Sequence, residues 1–172
     1  MQLIRCTAKL QKEMGLKKAQ LCQLEEPAGL LGQWHANLIF IDRKKCVLFV
    51  NDRTLSNFIV PDVRRSEIRE LASIFKQWLR PVLFAEAYSS REIELICAEY
   101  IEIAYAVSNS RKILGHIKDL AFHYEVNIQT AGGVHSPEIP AIIKRLNRMP
   151  MNAGKECTWP YKELKKLVVG EI

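Results

Sequence analysis

The chain has 172 residues, of which 48% are hydrophobic and 26% charged, and a formal net charge of +6. That composition suits one globular domain with its own core, and excludes disordered and fibrous classes. No apolar run approaches the roughly 18 residues of a membrane span, and the opening MQLIRCTAKLQKEM lacks the unbroken apolar stretch of a signal peptide, so a cytoplasmic domain with no membrane contact is expected.

The five cysteines (Cys6, Cys22, Cys46, Cys97, Cys157) are odd in number and widely spaced, with no C-x-x-C pair. This argues against a disulfide framework or a cysteine-rich zinc site, and most are expected to be small buried hydrophobes. The charge is uneven. Residues 1–86 carry 14 Lys+Arg against 9 Asp+Glu, a net +5, and residues 87–172 carry 11 against 10, a net +1. A basic surface suits an acidic partner.

Residues 1–6 read as a short strand. Thr7 is a plausible N-cap for a helix over residues 8–14, which Gly15 stops. Residues 17–31 are ambiguous, with a loop at Glu25-Glu26-Pro27-Ala28-Gly29. Residues 34–41 (WHANLIFI) are dense in aromatic and aliphatic side chains and predict a strand. The charged break Asp42-Arg43-Lys44-Lys45 has the length of a hairpin loop. A second strand follows over residues 46–51 and a third over 54–60, stopped by Pro61, which cannot donate to a ladder. A meander of antiparallel strands is the simplest arrangement. Trp34, Ala36, Leu38 and Phe40 share one face and His35, Asn37, Ile39 and Ile41 the other, so both faces are largely apolar and both need cover or a partner.

Helical periodicity takes over afterwards. Ser66 opens a helix striped by Ile68, Leu71, Phe75, Trp78, Leu79 and Val82, which Pro81 should kink or end. Ser89 and Glu92 form a capping box for a helix over residues 90–107. A further helix spans 111–126, Gly132-Gly133 breaks the chain, and another helix spans 137–146. Residues 151–159 read as irregular, and Pro160 suits the first position of a last helix reaching Val169. Strands first and helices after predict an α+β domain: a small, mostly antiparallel sheet packed by about five helices.

Three groups of residues are candidates for chemistry. His116, Asp119 and His123 fall within about 60° of one another around a helix and could present imidazole and carboxylate ligands to a metal; the plain alternative is a polar edge beside Ile113, Ile117 and Leu120. Arg111 and His116 have the R-x-x-x-x-H spacing of HEPN-type ribonucleases. Five residues of regular helix put such a pair about 140° apart, and Lys112 stands where those enzymes usually carry Asn, Asp or His. The basic residues Arg43, Lys44, Lys45, Arg53, Arg64 and Arg65 lie at strand ends, Arg43 to Lys45 at one end of the meander and Arg53 with Arg64 and Arg65 nearer the other. With Trp34 for stacking they could hold phosphates and bases; the alternative is a set of solvated loops. Glycine-rich phosphate loops, G-x-S-x-G and H-E-x-x-H are absent from the sequence, and nothing calls for a cofactor.

Arg5-Cys6-Thr7 with Lys9-Leu10, Gly32 with Trp34, Asn51 with Thr54, Ser110-Arg111 with Ile113-Leu114-Gly115, and Leu146-Asn147 with Pro150 together resemble an uncharacterised bacterial domain family, catalogued as a domain of unknown function. The order and spacing of these residues carry the likeness over nearly the whole chain. The resemblance implies a bacterial, cytosolic, stand-alone domain and implies no activity; Arg111 belongs to the pattern more clearly than His116. The leading expectation is a non-enzymatic module binding nucleic acid or an acidic protein. A small toxin-like ribonuclease or other hydrolase using Arg111 and His116, and a structural or oligomerising protein with an exposed apolar sheet face, are the alternatives.

Overall fold

The computed structural model describes residues 1–152 and 156–170. Its centre is a five-stranded sheet in the order β4-β3-β2-β1-β5, built from β1 (Gln2–Cys6), β2 (Trp34–Ile41), β3 (Lys44–Asn51), β4 (Asn57–Val60) and β5 (Ile103–Val107). The β2–β3–β4 meander is antiparallel, as its hairpins require. The expectation of a mostly antiparallel sheet is corrected, because β1 pairs in parallel with both β2 and β5. The sheet is mixed, and the first strand in sequence lies inside it.

Strand β5 overturns one expected element. The capping box at Ser89 and Glu92 is present, but its helix, α4 (Ser90–Ala98), stops nine residues earlier than periodicity suggests. Tyr100 turns into the core, and the β-prone run IAYAV joins the free edge of β1. The other helices are α1 (Ala8–Met14), α2 (Arg65–Arg69), α3 (Leu71–Ala85), α5 (Arg111–Thr130), α6 (Ile139–Leu146) and α7 (Pro160–Gly170). The described residues thus hold seven α-helices rather than about five, partly because a break at Glu70 divides the one read from Ser66. Pro81 lies on the solvent side of α3 and does not end it, since water can serve the carbonyl that loses its donor. Met151–Asn152 and Cys157–Thr158 form a two-stranded ribbon (β6 and β7) in the stretch read as irregular; residues 153–155 of that stretch lie outside the described residues.

Two strand boundaries also shift. Asp42 and Arg43, at φ 49° and 65°, make a two-residue hairpin turn of the kind that follows strand twist, so Lys44 and Lys45 belong to β3 rather than to a loop. Residues 52–54 form a turn around the Asn51 carboxamide oxygen, which accepts from the Arg53 and Thr54 amides and the Thr54 hydroxyl, and β4 starts only at Asn57.

Both faces of the sheet are covered. On one, Trp34, Phe49 and Phe58 pack with Phe75 of α3 and Tyr100, with ring centroids 5.0–5.9 Å apart. On the other, α5 buries Ile113, Ile117, Leu120, Tyr124 and Ile128, and the Tyr124 hydroxyl donates to Asn57 Oδ1 at 2.7 Å. Asn147, just past α6, closes the outer edge of β4 by accepting from the Asn57 amide and donating to its carbonyl. Among the described residues no helix is long and apolar enough to cross a membrane. Among the described residues the meander leaves no exposed apolar face: Phe40 is the only exposed side chain of β2, and the apolar side chains of β3 and β4 are buried.

Candidate functional site

The α5 face of the sheet carries a buried polar group where β1, β2 and β5 meet. Register puts Arg5 opposite His35 on one side and Ala106 on the other. Side chains two apart share a face, which adds Gln33 and Ser108; Asp52, whose amide bonds the Gln33 carbonyl, completes the set. The bonds form a chain. Arg5 Nε donates to Gln33 Oε1 at 2.6 Å, and Gln33 Nε2 donates to Asp52 Oδ2 at 2.8 Å. Asp52 Oδ1 lies 3.5 Å from His35 Nε2, and His35 Nδ1 lies 2.9 Å from Ser108 Oγ. Arg5 Nη1 returns to the Val107 carbonyl at 3.1 Å, beside Ser108. Its Nη2 meets the carbonyls of Leu24 and Glu25, which fastens the segment read as ambiguous.

Arg5 is 4% exposed and His35 0%, so both are shielded from water, whereas Ser108 and Asp52 are half-buried. The approach of His35 Nε2 to Asp52 is at the outer limit of a hydrogen bond, and this buried nitrogen has no closer partner among the described residues. The His35 imidazole is the main cause of an Asp52 carboxyl held below the usual carboxylate range; burial opposes it, while Gln33 and the Arg5 charge assist. The carboxylate therefore favours the tautomer with its proton on Nε2, which leaves Nδ1 to accept from Ser108.

Asp52 also opens onto a cleft of about 700 Å³ between the β3–β4 turn, the start of α5 and the start of α7. Arg53, Lys112, Lys162 and Lys166 line it together with Trp159, itself 36% exposed. Lys162 Nζ stands 4.7 Å from the Trp159 ring centre, within cation–π range. Of the three acidic lining residues, Asp52 is engaged by Gln33 and His35, Glu163 pairs with Lys166 at 2.8 Å, and Glu156 adds a further negative charge.

The expected site residues are distributed differently. Trp34 is 2% exposed in the aromatic core and donates to the Tyr100 hydroxyl at 2.9 Å, so it cannot stack on a ligand. Arg53 clasps the Gly29 and Leu30 carbonyls. Arg64 and Arg65 lie at the same end as Arg43 to Lys45, not nearer Arg53, because Val63 bonds the Lys45 carbonyl. This end is partly neutralised: Glu13 takes Lys45 and Arg65, and Asp62 takes Lys44 and faces His135, while Arg43 and Arg64 have no acidic partner among the described residues. Continuous helix from Arg111 to Thr130 holds Arg111 and His116 on different sides of the axis. Burial, with Lys112 nearby, lowers the His116 pKa, and Asp119 works in the opposite sense. His116, Asp119 and His123 line a common hollow beside Met149 and Pro150. No group of three His, Cys, Asp or Glu side chains among the described residues is placed to hold a metal ion, this one included.

Sequence reasoning missed Arg5, Gln33, His35, Asp52 and Ser108. A polar alternation did exist, with Gln33, His35 and Asn37 on one face of an apolar strand, but the partners of His35 become visible only with the pairing of β1 and β5. The chain matches no curated protein and no solved structure. A family described as a domain of unknown function, DUF6933, matches residues 3–163, nearly the whole chain, and the protein belongs to that family.

Proposed function

We propose that the protein is a binding module for single-stranded nucleic acid, and that its ligand occupies the cleft at the start of α5 and α7. One observation carries this reading: Lys112 and Lys162, with the Lys166–Glu163 pair beside them, meet the exposed Trp159 in a single concave surface. Phosphate neutralisation needs clustered cations, and bases stack on an accessible ring regardless of sequence. Lys112 is the second residue of α5, where the helix dipole also favours an anion. At the hairpin end Lys44, Lys45 and Arg65 are paired with Asp62 and Glu13, which leaves Arg43 and Arg64 outside ion pairs among the described residues.

Fluorescence polarisation of labelled oligo-dT and oligo-U, read across a salt series, tests the assignment. The double variant Lys112→Glu/Lys162→Glu should weaken binding by about tenfold or more at low salt and flatten its salt dependence. Trp159→Ala should cost about 1–3 kcal/mol, the range for one base stack. Changing Arg43, Lys44 and Lys45 to Glu should alter affinity by no more than about twofold. Equal affinity for all these proteins overturns the cleft reading; loss only in the hairpin variant moves the site to the hairpin.

A further inference from the structure

The polar chain beneath the cleft has a chemical capacity that binding does not use. Ser108, His35 and Asp52 stand in the order hydroxyl, imidazole, carboxylate, with separations of 2.9 and 3.5 Å. We infer that they form a nucleophile relay for acyl transfer, with Ser108 as the attacking residue and a carboxylic ester as the substrate class. The inference does not depend on nucleic-acid binding.

The roles follow from position. Ser108 Oγ is a hydroxyl whose proton can pass to a neighbouring base, and it is the half-exposed member of the pair. His35 is fully buried, held to Ser108 through Nδ1, with the Asp52 carboxylate 3.5 Å from Nε2. With its proton on Nε2 facing Asp52, its Nδ1 lone pair faces Ser108, the arrangement that general-base assistance needs. When Nδ1 takes a second proton, the Asp52 carboxylate stabilises the imidazolium. Gln33 holds the other carboxylate oxygen and Arg5 holds Gln33, so Asp52 is oriented from behind. This order of nitrogens is the reverse of the familiar serine relay, where the hydroxyl meets Nε2, but the logic of one protonated and one free nitrogen is the same. Three residues beyond Ser108, α5 begins; the Ser110 hydroxyl takes its Ile113 amide, and the amides before it lack intrahelical acceptors and favour negative charge.

The reaction balances as follows. Ser108 Oγ adds to the ester carbonyl carbon while its proton moves to His35 Nδ1. The carbon–oxygen bond to the alcohol breaks, and the alcohol departs with that proton, leaving an acyl group on Ser108. Water then adds to the acyl carbon, giving one proton to Nδ1; the bond to Ser108 breaks and Oγ recovers the proton. The sum is ester plus water giving acid plus alcohol, with no oxidation or reduction.

The test uses the full chain with two probes: a fluorophosphonate, read by peptide mass spectrometry, and p-nitrophenyl butyrate. The expected result is a phosphonyl adduct on Ser108 and hydrolysis above the buffer rate, both abolished by Ser108→Ala. The half-exposed position of Ser108 makes that variant a mild change to the fold, which circular dichroism checks. Asp52 acts through His35 and is a positioning residue; Asp52→Asn should lower kcat about tenfold or more, leave KM within about twofold, and alter the pH–rate profile. Absence of an adduct on Ser108 in the wild-type protein overturns the inference. Hydrolysis that persists unchanged in Ser108→Ala does so as well.

Discussion

Asp52 is the residue where the fold and the proposed chemistry meet. Its folded pKa lies below the usual value, chiefly because His35 faces it. A depressed carboxyl contributes stability that is present above the unfolded value, about 3.9, and is lost as pH falls through the folded value. Asp52→Asn removes that contribution. The urea-midpoint gap between wild type and Asp52→Asn should therefore be widest near pH 6 and shrink as pH drops from about 4 toward 3. A gap of constant size across this range would show that the carboxylate is not held by its neighbours. Arg5 belongs to the same argument, since its guanidinium satisfies one side chain and three carbonyls, which a lysine's single ammonium cannot reproduce. None of this was legible in sequence. Arg5, His35, Asp52 and Ser108 look like isolated polar residues until strand pairing brings positions from 5 to 108 into one cluster.

At the scale of elements, local chemistry was readable wherever a single segment decided its own conformation. The helix over residues 8–14 was visible because Thr7 and Gly15 bracket it, and the structure keeps both bounds. The strand at residues 103–107 was not, because Ile103, Ala104 and Val107 also fit a helical stripe, and only the open edge of β1 selects the extended form. The β2–β3 turn shows the limit differently. Its length and polarity were plain, but two left-handed residues at Asp42 and Arg43 leave Lys44 and Lys45 in the strand. Side chains with positive φ are strained there, whereas glycine is not. Arg43→Gly should therefore raise the unfolding free energy by on the order of 0.5–1 kcal/mol in chemical denaturation. A loss of stability would mean that the Arg43 side chain contributes more than its backbone costs.

For the whole molecule, net charge and the placement of charge are different things. The excess of cations in residues 1–86 is real, but at the hairpin end acidic neighbours take Lys44, Lys45 and Arg65, while the cleft draws Lys112 and Lys162, and Lys166 with its Glu163 partner, from the nearly neutral second half. Net charge counts residues; binding depends on which charges are left without internal partners and on the shape of the surface that bears them. Trp34 illustrates the same point, since an aromatic residue at a strand start serves a ligand or a core equally well in sequence, and Phe75 and Tyr100 claim it.

The position of β1 between β2 and β5 has a consequence in time. The meander needs only neighbours in sequence, so it can assemble early, whereas one flank of β1 stays open until residues 103–107 arrive from the far side of three helices. Pairings between distant segments carry a loop-closure cost and are slow to form. In pulsed hydrogen exchange during refolding, amides of β2 and β3 should gain protection before those linking β1 to β5. The cluster of Arg5, His35 and Ser108 would then be assembled last, as a product of sheet closure, and a chain arrested before that step would have a formed hairpin and no site.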